Sequence, residues 1–151
     1  FNVNYSVNNA LTMTKKMYSQ AQIDTNLNLQ KNICDINGNP YKFEQVILNL
    51  LSNAKDAVEN NSNEKRKHII VTTYETSNEI KISVKDNGTG ISEQDYAKIF
   101  LPFYTKKKPG KGTGLGLSIS YGIIKEMGGY ISVNSVLDSG TEFAITIPKK
   151  N

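Results

Sequence analysis

Apolar positions along the chain keep two periods, and the switches between them mark out the elements. From Tyr5 to about Ala21, the residues Val7, Ala10, Leu11, Tyr18 and Ala21 hold helical spacing. This predicts an amphipathic helix behind a short strand or lead-in at Phe1 to Asn4. Ile23 to Leu29 alternates apolar and polar residues, the pattern of a half-buried strand. Asn32 to Ile36 predicts a second short strand, and Asn37-Gly38-Asn39-Pro40 a turn. From about Tyr41 to Asn60, at roughly 100° per residue, Phe43, Val46, Ile47, Leu50, Leu51, Ala54 and Val58 share one broad apolar sector. His68 to Tyr74 and Glu79 to Lys85 are alternating, β-branched runs that predict an antiparallel hairpin ending at Asp86. Ser92 to Phe100 predicts a short helix capped by Ser92, followed by an aromatic knot, Leu101 to Tyr104, that packs. A helix from about Leu115 to Met127 stops at Gly128-Gly129. Strands at Ile131 to Leu137 and Glu142 to Pro148 then turn at Asp138-Ser139-Gly140. This order predicts an α+β fold: a two-layer α/β sandwich, helices on one face of a mostly antiparallel mixed sheet.

Length and composition narrow the class. The 151 residues suit a single domain, 1–151, that buries about two-thirds of its unfolded surface. Apolar content of 38% with 21% charged residues is that of a soluble globular chain, so disordered and fibrous classes drop out. No apolar run approaches the ~18 residues needed to span a bilayer, so no direct membrane contact by this domain is expected. The chain starts inside a patterned segment, which reads as a domain cut from a longer protein. A single cysteine, Cys34, excludes an internal disulfide and favours a reducing, cytoplasmic setting. Cys34 reads as a small strand residue, since the one histidine, His68, is distant in sequence and itself a strand start.

The net charge of +4 is local. Lys106, Lys107, Lys108 and Lys111 crowd one segment, and Lys65, Arg66 and Lys67 another. Neither is interleaved with the aromatics of a single-strand binder, so no nucleic-acid partner is expected.

The densest chemistry lies between Asp86 and Ile119. Asp86-Asn87-Gly88-Thr89-Gly90 opens it and Gly112-Thr113-Gly114-Leu115-Gly116-Leu117 closes it, with the first lysine cluster between. A P-loop would need Ser or Thr after Gly-Lys, but Lys111 is followed by Gly112. A dinucleotide fingerprint would need a third glycine where Leu117 or Ile119 stands. Both are excluded. The glycines then either only make turns, which rarely cluster this way, or build a site with a carboxylate acceptor at one end and a helix N-terminus suited to an anion at the other. Adenine joined to phosphates is the simplest ligand with a donor at one end and charge at the other. Asn49, Asn53 and Asp56 form a polar stripe beside the apolar sector of their helix. It reads equally as oxygen ligands for Mg²⁺ or as a polar network capping the core.

Taken in order, these motifs resemble the catalytic ATP-binding domain of bacterial sensor histidine kinases, of the GHKL superfamily with the Bergerat fold. Asn49-Leu50-Leu51-Ser52-Asn53-Ala54 is similar to the N box and Asp86 to Gly90 to the G1 box. Phe100 to Lys106 resembles the F box and Gly112 to Leu117 the G2 box. The resemblance covers essentially the whole chain. It implies ATP and Mg²⁺ as cofactors, with Asn53 the principal metal ligand and Asn49 near the phosphates or a metal-bound water. It implies that Asp86 accepts the adenine amino group, that Gly88 and Gly90 line the base site, and that Thr141 helps hold the base. The amides of Gly112, Thr113, Gly114, Leu115, Gly116 and Leu117 would cradle phosphates, and Lys106 would reach them from a mobile lid over 92–113. Asn49, Asn53 and Lys106 are thus the residues expected to serve the chemistry.

The implied reaction is transfer of the γ-phosphoryl group to a histidine on a separate dimerisation and acceptor domain, in the same or the partner chain of a homodimer. A response regulator would follow indirectly. The acceptor histidine is not in this sequence, since His68 lacks the His-Glu signature, so that domain should lie upstream. Many family members carry a lysine at the position of Asp56, leaving Lys55 or Lys106 to substitute. The Asn-Ala-Lys-Asp-Ala form with Pro-Phe-Tyr-Thr-Lys looks closer to nitrogen-regulation-type kinases. Gyrase-like ATPases of the superfamily carry a glutamate base where Asn49 stands, so hydrolysis by this chain should be slow. A degenerate nucleotide-sensing module is a third reading, opposed by the intact Asn53, Asp86 and Gly112-Thr113-Gly114.

Overall fold

A computed structural model describes residues 1–61, 66–105, 107 and 114–149. Asn2 takes the Asn4 N–H on its side chain and starts helix α1, Val3–Gln20. The expected lead-in strand is therefore the helix's first turn, because Val3 and Val7 continue the same buried stripe. Strand β1, Asp24–Leu29, follows as predicted. The second short strand does not form. Its backbone is taken by the N-terminal residues instead: Phe1 N donates to Ile36 O at 2.8 Å and Asn2 Nδ2 to Ile33 O at 2.9 Å. Cys34 is accordingly an exposed loop residue, not a strand residue. A hydrogen bond with Glu75 pushes its thiol pKa up, which makes it a poorer nucleophile.

Asn39 Oδ1 accepts the Tyr41 and Lys42 N–H groups and caps α2, Pro40–Glu59, with Pro40 where an orphan N–H would otherwise stand. Its whole apolar sector, Phe43 to Val58, is buried. The hairpin is β2, His68–Glu75, and β3, Glu79–Asp86. Helix α3 spans only Glu93–Tyr96. Beyond it the backbone goes on in tighter turns, with the Lys98 N–H donating to Asp95 O and the Leu101 N–H to Lys98 O, each at 2.9 Å; the cap hydroxyl of Ser92 bonds Asp95 Oδ2 at 2.8 Å rather than a backbone N–H. Of the aromatic knot, Leu101 and Phe103 are exposed. Tyr104 of the knot packs, partly buried, against the core, as does Phe100, with ring centroids 5.6 Å from Tyr121 and 6.4 Å from Phe143. The chain ends with α4, Gly116–Glu126, then β4, Tyr130–Val136, and β5, Gly140–Pro148.

The strands form one five-stranded sheet in the order β1-β2-β3-β5-β4. Among the described strands β1 and β2 run parallel and the other pairs antiparallel. Helices α1, α2 and α4 pack on the face that carries Ile69, Val71, Ile80, Ile82, Ile145 and Ile147, which is the core. The fold is the predicted α+β sandwich. Its register sets Asp86 of β3 opposite Thr141 of β5, at one end of the sheet.

Candidate functional site

Asp86 ends a strand whose alternation points it into the core, and it is 5% exposed. Its Oδ1 accepts the Gly88 N–H at 2.8 Å and the Thr141 N–H at 3.3 Å. The other oxygen is left to the cavity that Asp86 lines. Burial pushes the carboxyl up to about pKa 6 against the opposing pull of those two N–H groups. A buried carboxylate fixed through one oxygen is an acceptor for a ligand donor.

Two glycines hold this corner together. Gly88 does not line the cavity. A Cβ there would lie 2.5 Å from Ala57 O, so its absence lets the loop close on α2 and bring the N–H beneath Asp86. Gly90 does line the cavity, at φ +72°, and its Cβ would meet Val136 O at 2.2 Å. Its first duty is thus packing against the end of β4.

The polar stripe of α2 forms one wall, with Asn49, Ser52, Asn53, Asp56 and Asn60 facing a cavity of about 530 Å³. Asn49 Nδ2 donates to Gly116 O at 3.2 Å and to Ser120 Oγ at 3.1 Å, which ties α2 to the start of α4 and turns Oδ1 the other way. Among the described residues no cluster of three or more His, Cys, Asp or Glu could hold a metal by itself. Amide oxygens of Asn53 and Asn49 beside the N-terminal end of a helix suit Mg²⁺, which takes few protein ligands and the rest from phosphate and water. Beneath this wall Tyr18 donates its hydroxyl to Leu51 O at 2.6 Å. Its pKa is raised by burial and then by the negative charges of Asp86 and Asp56.

The opposite side comes from α4 and the segment before it. Gly114, Gly116 and Leu117 line the cavity, whereas Leu115 is the helix cap position behind them. Gly114 O accepts the Phe103 N–H at 2.9 Å. Lys106, Gly112 and Thr113, with Lys108 to Lys111 of the proposed lid, lie outside the described residues. Lys55 does not face the cavity; it pairs with Glu59 at 2.9 Å. Among the described residues, the cation that reaches Asp56 is Lys107, at 2.5 Å. Thr141 closes the cavity beside Asp86.

Sequence reasoning missed Asp95, a buried carboxylate in the wall that accepts from Ser92 and from Tyr104 at 2.7 Å. The Ser-x-x-Asp spacing of a capping box would have pointed to it. His68 sits apart, at the start of β2 against Asn26.

Comparison with known proteins agrees with this geometry. Residues 38–151 match the family described as histidine kinase-, DNA gyrase B-, and HSP90-like ATPase. Sporulation kinase C of Bacillus subtilis is 31% identical over 97% of this chain and 34% of its own length. The sensor histidine kinase ZraS of Escherichia coli K12 is 32% identical over 97% of this chain and 30% of its own. The chain thus spans about a third of the length of such relatives. Among solved structures, the catalytic domain of histidine kinase ThkA superposes with a TM-score of 0.84 at 29% identity, covering 99% of this chain and 93% of that one. No helix among the described residues is long and apolar enough to cross a membrane. By family match, fold and cavity together, the chain belongs to the histidine kinase-, DNA gyrase B- and HSP90-like ATPases, as the ATP-binding catalytic domain of the histidine kinase kind.

Proposed function

We propose that this domain binds Mg-ATP and passes the γ-phosphoryl group to a histidine on a separate dimerisation domain. One observation carries the orientation. The buried acceptor, Asp86, and the N-terminal end of α4 lie at two sides of one cavity. The base then sits against Asp86 and Thr141, and the phosphates lie toward Gly114, Gly116 and Leu117. Asn53 would hold Mg²⁺, with Asn49 near the phosphates or a metal-bound water, and the metal would supply neutralisation of phosphate charge. Lys106 and the amides of Gly112, Thr113 and Leu115 complete the phosphate site in this reading. The protein's own part is positioning and charge stabilisation; the nucleophile comes from the acceptor domain. An amide at Asn49 cannot take a proton from water, so hydrolysis is slow.

The same reading places the acceptor domain in the same or the partner chain of a cytoplasmic homodimeric parent. ThkA, whose complex with the response regulator TrrA has been solved, supports a regulator as the downstream partner. The Pro-Phe-Tyr-Thr-Lys run supports a nitrogen-regulation-like subtype.

The test mixes this domain with γ-labelled ATP and a separately purified acceptor domain carrying its histidine. Acid-labile, base-stable label on the acceptor is expected, and none when that histidine is replaced. Labelled phosphate released to water at ordinary ATPase rates, on the order of 1 s⁻¹ or faster, with no label on the acceptor, would overturn it.

A further inference from the structure

We infer that Ser135, on β4 and outside every motif of the family, sets which nucleotide base the site accepts by fixing the direction of the Thr141 hydroxyl. The inference rests on the proposed placement of the base against Asp86 and Thr141. A hydroxyl carries one proton and accepts at two lone pairs. The Ser135 proton goes to Gly140 O at 2.9 Å. One lone pair takes the Ile91 N–H at 2.7 Å. The remaining contact, 2.8 Å to Thr141 Oγ1, then has one solution: Thr141 donates and Ser135 accepts. Ser135 is saturated, and the Thr141 proton is pinned away from the cavity.

Thr141 therefore faces the ligand as an acceptor only. Asp86 does the same, since its Oδ1 is taken by the Gly88 and Thr141 N–H groups and its carboxylate has no proton to give. Two fixed acceptors side by side match a base edge that offers hydrogens, such as an exocyclic amino group or a water it orients. A carbonyl edge, as in guanine, meets lone pairs on both. Without Ser135 the Thr141 hydroxyl could rotate and donate to that carbonyl. Ser135 is a positioning residue, acting through Thr141. It is itself held from the lid side, because its backbone N–H donates to the Tyr96 hydroxyl at 2.9 Å.

Competition binding of ATP and GTP to this domain tests it through their affinity ratio. Ser135→Ala should cut the preference for ATP by roughly tenfold, about the worth of one neutral hydrogen bond. Ser135→Thr, which keeps the hydroxyl on a strand-compatible side chain, should restore it. Thr141→Val should lower the ratio by itself, and Ser135→Ala added to Thr141→Val should change it no further. A merely structural serine would lower both affinities together and leave the ratio alone; that result overturns the inference. If Asp86→Asn collapses the ratio while Ser135→Ala leaves it intact, the base placement stands and the role of Ser135 falls. An unmodified domain that binds ATP and GTP equally would remove both.

Discussion

Lys107 Nζ lies 2.5 Å from Asp56 Oδ2, and both residues line the cavity. The position that is lysine in many family members is thus a carboxylate here, with a lysine from another segment laid over it. Phosphates in the cavity would be repelled by Asp56 and would compete with it for Lys107. Asp56→Asn should therefore raise ATP affinity and Lys107→Ala should lower it. Both side chains are about one-third exposed, so each effect should be only roughly two- to fivefold and should shrink in high salt. Calorimetric titration at two ionic strengths measures this. Weaker binding by Asp56→Asn would mean that the carboxylate itself serves the ligand or its metal.

Burial sets the pH behaviour of Asp86. Its carboxyl moves from 3.8 to about 6 on folding. Between those values the folded chain keeps a proton that the unfolded chain has lost, so the contribution of Asp86 to stability is fully present below about pH 4 and is lost as pH rises through about 6. Two pKa units correspond to about 3 kcal/mol at most. Asp86→Asn should remove this loss, leaving the mutant more stable than the unmodified domain at pH 8 and close to it at pH 4. Nucleotide binding should run the other way, weakening below about pH 6 as the acceptor is protonated. Melting curves and titrations across pH 4–8 check both, and a stability difference between the unmodified domain and Asp86→Asn that does not change with pH would refute the assignment.

Asn53→Ala should remove the Mg²⁺ dependence of ATP binding while leaving metal-free binding nearly unchanged. The measurement is a nucleotide titration with and without Mg²⁺. Intact Mg²⁺ dependence in the variant would move the metal to Asn49 or Asp56.

Asn49 gives a test by sign. Its amide nitrogen is a donor to Gly116 O and Ser120 Oγ. Asn49→Ala loses both bonds and should cost about 1–3 kcal/mol in urea unfolding. Asn49→Asp should cost more, because a carboxylate would then face the Gly116 carbonyl. An aspartate less disruptive than alanine would mean that Oδ1, not Nδ2, makes this contact.

Much of this was legible because periodicity reports which way side chains point. The apolar sector of α2 placed the Asn49, Asn53, Asp56 stripe on its own face, and the alternation of β3 delivered Asp86 inward. What failed was decided by partners distant in sequence. Asn32 to Ile36 has strand-like residues, yet Phe1 and Asn2 take its hydrogen bonds. Gly90 does line the cavity, but the need for glycine at 88 and 90 also comes from Ala57 and Val136, which a Cβ would meet. Ser135 carries no local signal at all, since its meaning depends on Ile91, Gly140 and Thr141 meeting around one oxygen.

The strand order also has a consequence in time. Strand β5 comes last in the sequence but fills an interior place between β3 and β4. Until it is laid in, β3 is an edge strand, and Asp86 lacks the Thr141 N–H that helps hold its carboxylate. Pairings this far apart in sequence close slowly. A ribosome-bound chain halted before residue 140 would hold most of the helices and the α2 stripe but no finished place for a base. Nucleotide binding during synthesis should switch on late and in one step, when β5 zips between its neighbours.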